Sequence, residues 1–326
     1  MKAETLQPFN PATRSSNVVH RFALLTALAT FPLLFLGGLV TSKGAGLAVP
    51  DWPTTFGYNM FLYPWSKMVG GIFYEHSHRL VASGVGLLTM ILALLLWLHE
   101  RRRWLRWLGV AALALVIVQG VIGGLRVVLV EETLAIIHAG FAQAFFALMV
   151  GLVFFTSEEW RERPQKIQVP DAGRMRRLCV LTTSMIYLQG LFGAVLRYTG
   201  ARLDAHLILA ALVTLHVVIL GVRLLKFHSD RPKLLRPVVL LSGLLILQLA
   251  LGLGSYLGKF TSFGMALPSL AVVALTTTHV VTGALMLVTS LVLTLRSYRL
   301  LTLPGSLVGQ ELFPARAAGG SEQVSA

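Results

Sequence analysis

The sequence predicts an all-α polytopic membrane protein, with eight transmembrane helices in two duplicated four-helix bundles and both termini cytoplasmic. Composition gives the first reason: of 326 residues, 55% are hydrophobic and 13% charged, with a mean hydropathy of +0.73. No ordinary soluble domain has that balance. The second is eight apolar stretches long enough to cross a bilayer, and the third is an echo between the two halves of the chain.

Residues 1–21 are polar and modestly basic, an N-terminal segment before the first span. The spans are expected at 22–42, 76–98, 105–125, 134–156, 177–196, 204–225, 236–257 and 268–295, with Pro268 marking an irregular start to the last. The first apolar run is too long for a signal-peptide core, so it reads as an uncleaved span. The polar stretch 157–176 reads as a linker between an N-terminal half (22–156) and a C-terminal half (177–295). Residues 296–326 read as a disordered tail rich in Pro, Gly, Ser and Ala.

The formal charge is +14. The positives lie in short tracts between apolar runs, such as Arg101–Arg103 and Arg174–Arg177, which suits loops facing anionic lipid and argues against nucleic acid. With the N-terminus inside, the inner connections hold 21 of the 28 Lys and Arg residues. That asymmetry predicts both termini inside a bacterial-type plasma membrane. The outer connection 43–75 mixes Gly, Pro and aromatics, as in Ser42–Pro53, and suits a tight loop with Trp52, Tyr58, Tyr63 and Trp65 at headgroup depth. Cys179 is the only cysteine, and no Cys-x-x-Cys-His haem attachment motif is present.

The internal echo is Gln119-Gly-Val-Ile-Gly-Gly-Leu-Arg126 in span 3 and Gln189-Gly-Leu-Phe-Gly-Ala-Val-Leu-Arg197 in span 5. Span 7 keeps Gln248-Leu-Ala-Leu-Gly252 and span 1 only Gly37-Gly38. Small residues at such spacing let helices approach closely. Each half has an even number of spans, so duplication would give parallel repeats about an axis along the membrane normal.

Every even-numbered span carries a histidine near its outer end: His78, His138, His206 and His279. Two imidazoles per bundle at similar depth make a bis-histidine iron site in each half. A histidine that only hydrogen-bonds across helices is the alternative for any one of them. No accompanying Met, Cys or carboxylate set favours copper or zinc over haem. His216 lies about 15 Å deeper than His206 and about 280° around the helix, so it reads as a packed or supporting residue. His76 reads as interfacial, and His20, His99 and His228 as solvated bystanders. Arg79, Arg126, Arg197 and Lys259 cluster at the outer mouths, as candidate propionate partners or as snorkelling cations. Glu75 stands one turn from His78 in spans nearly free of acids. It is either a functional carboxylate or an i,i+4 partner of Arg79.

Glu75-x-x-His78-Arg79, Gly44-Ala-Gly-Leu with Pro50-Asp-Trp-Pro53, and His138-Ala-Gly-Phe-Ala-Gln-Ala-Phe-Phe146 together resemble haem A synthase over roughly residues 20–297. The C-terminal half matches mainly through His206 and His279-Val-Val-Thr-Gly283. The resemblance implies a membrane oxidoreductase that converts the C8 methyl of haem O to a formyl, giving haem A for cytochrome oxidases. It implies haem O as substrate between His78 and His138, haem b as cofactor between His206 and His279, and Glu75 as the essential acid near the methyl. Haem O synthase and an electron donor would be its partners. Members with a cysteine pair in the first outer loop have it where this chain has Val49 and Thr55, which places this chain in a subclass without a thiol relay.

Other classes fit less well. A di-haem electron carrier leaves Glu75 and the long outer loop without a role. A transporter expects broken helices at mid-membrane, and a prenyltransferase needs Asp-rich, Mg²⁺-binding motifs that the chain lacks.

Overall fold

A bilayer core offers the backbone no hydrogen-bond partner, so each long apolar run must close its bonds within a helix. The computed structural model, which describes residues 11–162 and 166–304, contains eight such helices. We number them spans 1 to 8: Pro11–Ser42, Gly70–His99, Arg103–Val128, Glu132–Thr156, Ala172–Thr199, Leu203–Phe227, Pro232–Phe260 and Ser269–Leu300. They overrun the apolar stretches by up to a few turns, because a helix continues past the hydrocarbon until its end carbonyls find water or caps. Residues 1–10 and most of the expected tail, 305–326, lie outside the described residues.

Short connections force consecutive spans to be antiparallel neighbours. Spans 1–2–3–4 close into one ring, with span 4 returning to span 1, and spans 5–6–7–8 close into a second. The rings meet through contacts of span 1 with span 8, span 4 with span 5, and span 4 with span 8. Exchanging 1 for 5, 2 for 6, 3 for 7 and 4 for 8 maps each ring onto the other and the interface onto itself.

Each ring has a dense apolar core at the proximal end, where the odd spans begin. Leu92, Leu96, Leu105, Phe145, Met149 and Leu152 fill the first, and Met175, Val217, Leu220, Leu234, Leu241 and Leu293 the second. Leu34, Phe146, Ala284 and Val288 join the rings. None of the candidate iron ligands belongs to these cores, which lie toward the other end of the helices from them.

Two expectations change at the proximal end. Residues 296–302 do not begin a tail: span 8 runs to Leu300, and Leu301–Thr302 pairs in parallel with Ile167–Gln168. Arg296 grips the Glu159 carboxylate at 2.8 and 3.0 Å, and Arg299 donates to the Trp160 carbonyl at 2.6 Å. The linker is therefore docked against the end of span 8. His228 is buried rather than solvated, with Nε2 3.8 Å from Asp171, whose carboxylate also pairs with Arg223 at 2.8 Å.

At the distal end, residues 43–69 fold into a compact cap with its own buried residues, Ala45, Val49, Thr55, Tyr63 and Met68. Trp65 is exposed as expected at an interface, but Tyr63 turns inward and packs on the His76 ring, 5.1 Å between centroids. The Asp51 carboxylate ties the turn, accepting from Thr54 Oγ1, Phe56 N–H and Gly57 N–H at 2.5–2.9 Å. Burial opposes its ionisation, but these hydrogen bonds outweigh burial and hold the carboxyl down at about 2.

A carboxyl lowered in the folded state adds stability above its ordinary range and loses it as pH falls through the folded value. Pepsin cleavage within 51–58 should thus stay slow down to about pH 4 and accelerate toward pH 2. In Asp51→Ala this acceleration should disappear, with cleavage already fast at pH 4.

Candidate functional site

The four distal histidines share one local geometry. A Cβ added to Gly37, Gly123, Gly193 or Gly252 would lie 3.1, 2.9, 3.2 and 3.1 Å from Cε1 of His78, His138, His206 and His279 respectively. Each imidazole of an even span thus rests edge-on against the bare backbone of the span before it. Contacts this short with a real Cβ are repulsive, which explains a glycine at each place.

The rings are also oriented. His138 Nδ1 lies 3.2 Å from the Gln119 carbonyl, one turn before Gly123. The corresponding carbonyls of Leu33, Gln189 and Gln248 are the main-chain neighbours of His78, His206 and His279. The alignment is less good there, and the Nδ1 atoms of His78 and His279 are buried without a formed bond. All four rings remain partly accessible although they stand inside the bundles. In the C-terminal half the ring centroids of His206 and His279 are 6.4 Å apart. In the N-terminal half His138 is the first electrostatic neighbour of His78.

This arrangement fits a porphyrin iron better than a bare metal ion. Among the described residues no three His, Cys, Asp or Glu side chains converge on a metal position, whereas a haem needs only two protein ligands. A buried Nδ1 turned toward a main-chain carbonyl is also the usual support for a histidine that ligates through Nε2.

Arg126 lies within electrostatic range of both His78 and His138, and Arg197 of His279. Arg126 donates to the Gly46 carbonyl at 2.7 Å, and Arg197 to the Gly38 carbonyl and Ser42 Oγ at 2.7 Å. Arg79 is different. Its Nη1 donates to the carbonyls of Asp51 and Thr54, and its Nη2 to the carbonyl of Val49 and to Glu75 Oε1. The propionate role set out for Arg79 does not suit this geometry, because all four terminal N–H groups already have acceptors.

Glu75 is buried, 4% exposed, and both oxygens are engaged: Oε1 by Arg79 and Oε2 by the Val49 N–H, each at 2.9 Å. The i,i+4 pair is therefore real, and it fastens the cap to span 2. His76 reinforces it by bonding Thr55 Oγ1 at 3.1 Å. Trp52 of the cap presses its ring on Gly124, beside the glycine that seats His138. Sequence reasoning placed Trp52 at headgroup depth and missed this contact, although the doubled glycine Gly123-Gly124 carried the signal. His216 bonds the carbonyl of Leu212 in its own helix at 2.9 Å and is not brought to the site.

A family model described as cytochrome oxidase assembly protein matches residues 20–206, ending at the third of the four histidines. The chain is 30% identical over 191 residues to heme A synthase of Shouchella clausii, covering 57% of this chain and 61% of that protein. It is 28% identical over 185 residues to heme A synthase of Alkalihalophilus pseudofirmus, covering 56% and 60%. A third relative is heme A synthase of Geobacillus kaustophilus, 28% identical over 192 residues, covering 56% and 57%. The matches thus span about six tenths of the length of these curated relatives.

The seats can be tested by filling them. Gly123→Ala or Gly252→Ala should lower stability by about 1–3 kcal/mol through overpacking and cut the haem retained on purification. Gly84→Ala and Gly86→Ala, where nothing lies within 4 Å of the added carbon, should change neither. Thermal unfolding in detergent and haem content per chain read both effects.

Proposed function

Because this chain belongs to the cytochrome oxidase assembly protein family, we propose that it is a haem A synthase, oxidising the C8 methyl of haem O to a formyl. The observation that carries the reading is the fourfold histidine-on-glycine seat, two per bundle, with a buried acid beside one of the pairs only. Haem O is the substrate, held between His78 and His138. His206 and His279 would hold haem b, which supplies one-electron transfer when bound. The equivalence of the two rings under exchange supports a duplicated bundle. The basic proximal connections support both termini inside, and hence sites toward the outer face.

Converting a methyl to a formyl removes four electrons and four protons and adds one oxygen atom, as from water, and the four electrons must pass to an oxidant such as dioxygen supplied from outside the protein. The protein's part is to place the methyl, exclude solvent and manage protons. The cap over 43–69 supplies the exclusion, held by Arg79 on three carbonyls, Arg126 on Gly46 and Trp52 on Gly124. Arg126 and Arg197 are the cations placed to meet propionates. Glu75 keeps a fixed carboxylate on the face of span 2 that carries His78, where it can accept a proton or stabilise positive charge developing at the substrate. Span 6 begins with Leu203 at the corresponding place, so the C-terminal pair has no such acid.

The competing reading of Glu75, as a purely structural clamp, separates from the catalytic one by substitution. Glu75→Gln removes the charge and keeps one oxygen to accept from the Val49 N–H, while Arg79 retains its three cap carbonyls. It should retain haem and a protease-resistant cap while haem A formation falls about 10²-fold or more, the usual span for a lost acid–base group. Haem A at the normal rate, measured by extraction and chromatography, would refute the catalytic assignment. Glu75→Ala should also loosen the cap, since breaking a buried pair costs about 3–5 kcal/mol.

A further inference from the structure

We propose that the proximal groove between spans 4, 7 and 8 binds one anionic phospholipid, with the headgroup phosphate on Arg236 and an acyl chain along the groove. The proposal does not depend on the haem reading above. The groove has a volume of about 280 Å³ and is walled by Val150 of span 4, Leu240 of span 7, and Val288 and Val292 of span 8. Arg236 and Arg296 stand at its proximal end. Arg236 and Leu240 are exposed, so the groove is open along one side, where the lipid lies.

Arg236 is the fifth residue of span 7, and Arg296 the fifth from the end of antiparallel span 8, which puts both cations at one level. From Arg296 the wall runs eight residues to Val288, about 12 Å along the helix. Charge at the rim with an apolar wall below it is the order in which a phospholipid presents its phosphate and chain. The two arginines differ in what they already hold. Arg296 is neutralised by the Glu159 carboxylate, and its Nη1 donates to the Lys233 carbonyl. Arg236 has no hydrogen-bond or ion-pair partner among the described residues. A guanidinium carries five donors and no acceptor, and its planar fork matches a phosphate. Lys233, three residues earlier and also exposed, adds a second positive charge on the same face.

The other bundle offers a comparison. Aligning Gln119 with Gln248 and His138 with His279 places Trp107 where span 7 has Arg236, and Phe155 where span 8 has Arg296. Trp107 packs edge-on against Trp97 with 5.7 Å between centroids. Phe155 packs against Trp104 and Trp160 at 5.1 and 4.8 Å. Aromatic rings suit the membrane interface but cannot neutralise a phosphate. The cations of the groove are therefore not a general property of the duplicated frame. A basic pocket between spans is the setting in which anionic headgroups are recognised.

Native mass spectrometry of the full-length protein, released from mixed micelles of phosphatidylglycerol and phosphatidylcholine, tests this. Wild-type protein should retain one phosphatidylglycerol in preference to phosphatidylcholine. Arg236→Gln should lower that preference about fivefold, the weight of one cation near anionic lipid. Lys226→Gln, which removes a proximal cation outside the groove, should leave it unchanged. Leu240→Trp, which fills the groove, should release the bound lipid. Equal retention of the two lipids by wild type, an undiminished preference in Arg236→Gln, or lipid still held by Leu240→Trp would each overturn the proposal. Displacement by inorganic phosphate would also overturn it, by marking a site for the free anion. So would dimers lost in Leu240→Trp, which would mark an interface between two copies. Should Arg236→Gln fail to fold, Leu240→Trp decides alone.

Discussion

Four imidazole rings lie edge-on against four glycines of the preceding spans, and the rest of the structure is arranged around that contact. A ring can approach a helix backbone this closely only where no Cβ stands in the way, so the glycines fix both the spacing of each helix pair and the depth of each histidine. Lipid provides no hydrophobic force to draw helices together, so close backbone approach and packing must supply it. The proximal cores of leucine, methionine and phenylalanine answer that need. They leave the distal ends less filled, which is where the histidines stand partly accessible.

The cap over the N-terminal bundle shows how one ion pair serves two ends. Glu75 and Arg79 are buried together one turn apart, and between them they satisfy main-chain groups of Val49, Asp51 and Thr54. A buried pair is costly unless its remaining donors and acceptors are used, and here the cap's backbone uses them. The same bonds hold the carboxylate in a fixed position. Loop closure and a chemical role for Glu75 are therefore compatible readings of one geometry.

The two bundles are alike in framework and unlike in detail. Both have two seated histidines, yet only the first has a cap and an acid. Differences of this kind on an equivalent frame suit a division of labour, with chemistry proposed for the first half and electron transfer for the second. The family match ends at His206, so the assignment of His279 leans on its seat against Gly252 and on the ring facing it.

The sequence by itself determined the eight spans, their pairing into halves, the four histidines and the isolated acid. Those follow from composition and periodicity, since a bilayer permits few ways to satisfy a backbone. It also displayed the repeated Gln-x-x-x-Gly, but as a packing signal only. Which atoms those residues meet depends on the rotation of one helix against its neighbour, a relation between residues tens of positions apart that local pattern does not encode. For the same reason Arg79 read as either a propionate partner or a snorkelling cation, Tyr63 as interfacial, His228 as solvated and residues 296–302 as a tail. Tertiary structure decided each of these, because a long polar or aromatic side chain takes its role from the nearest group it can reach.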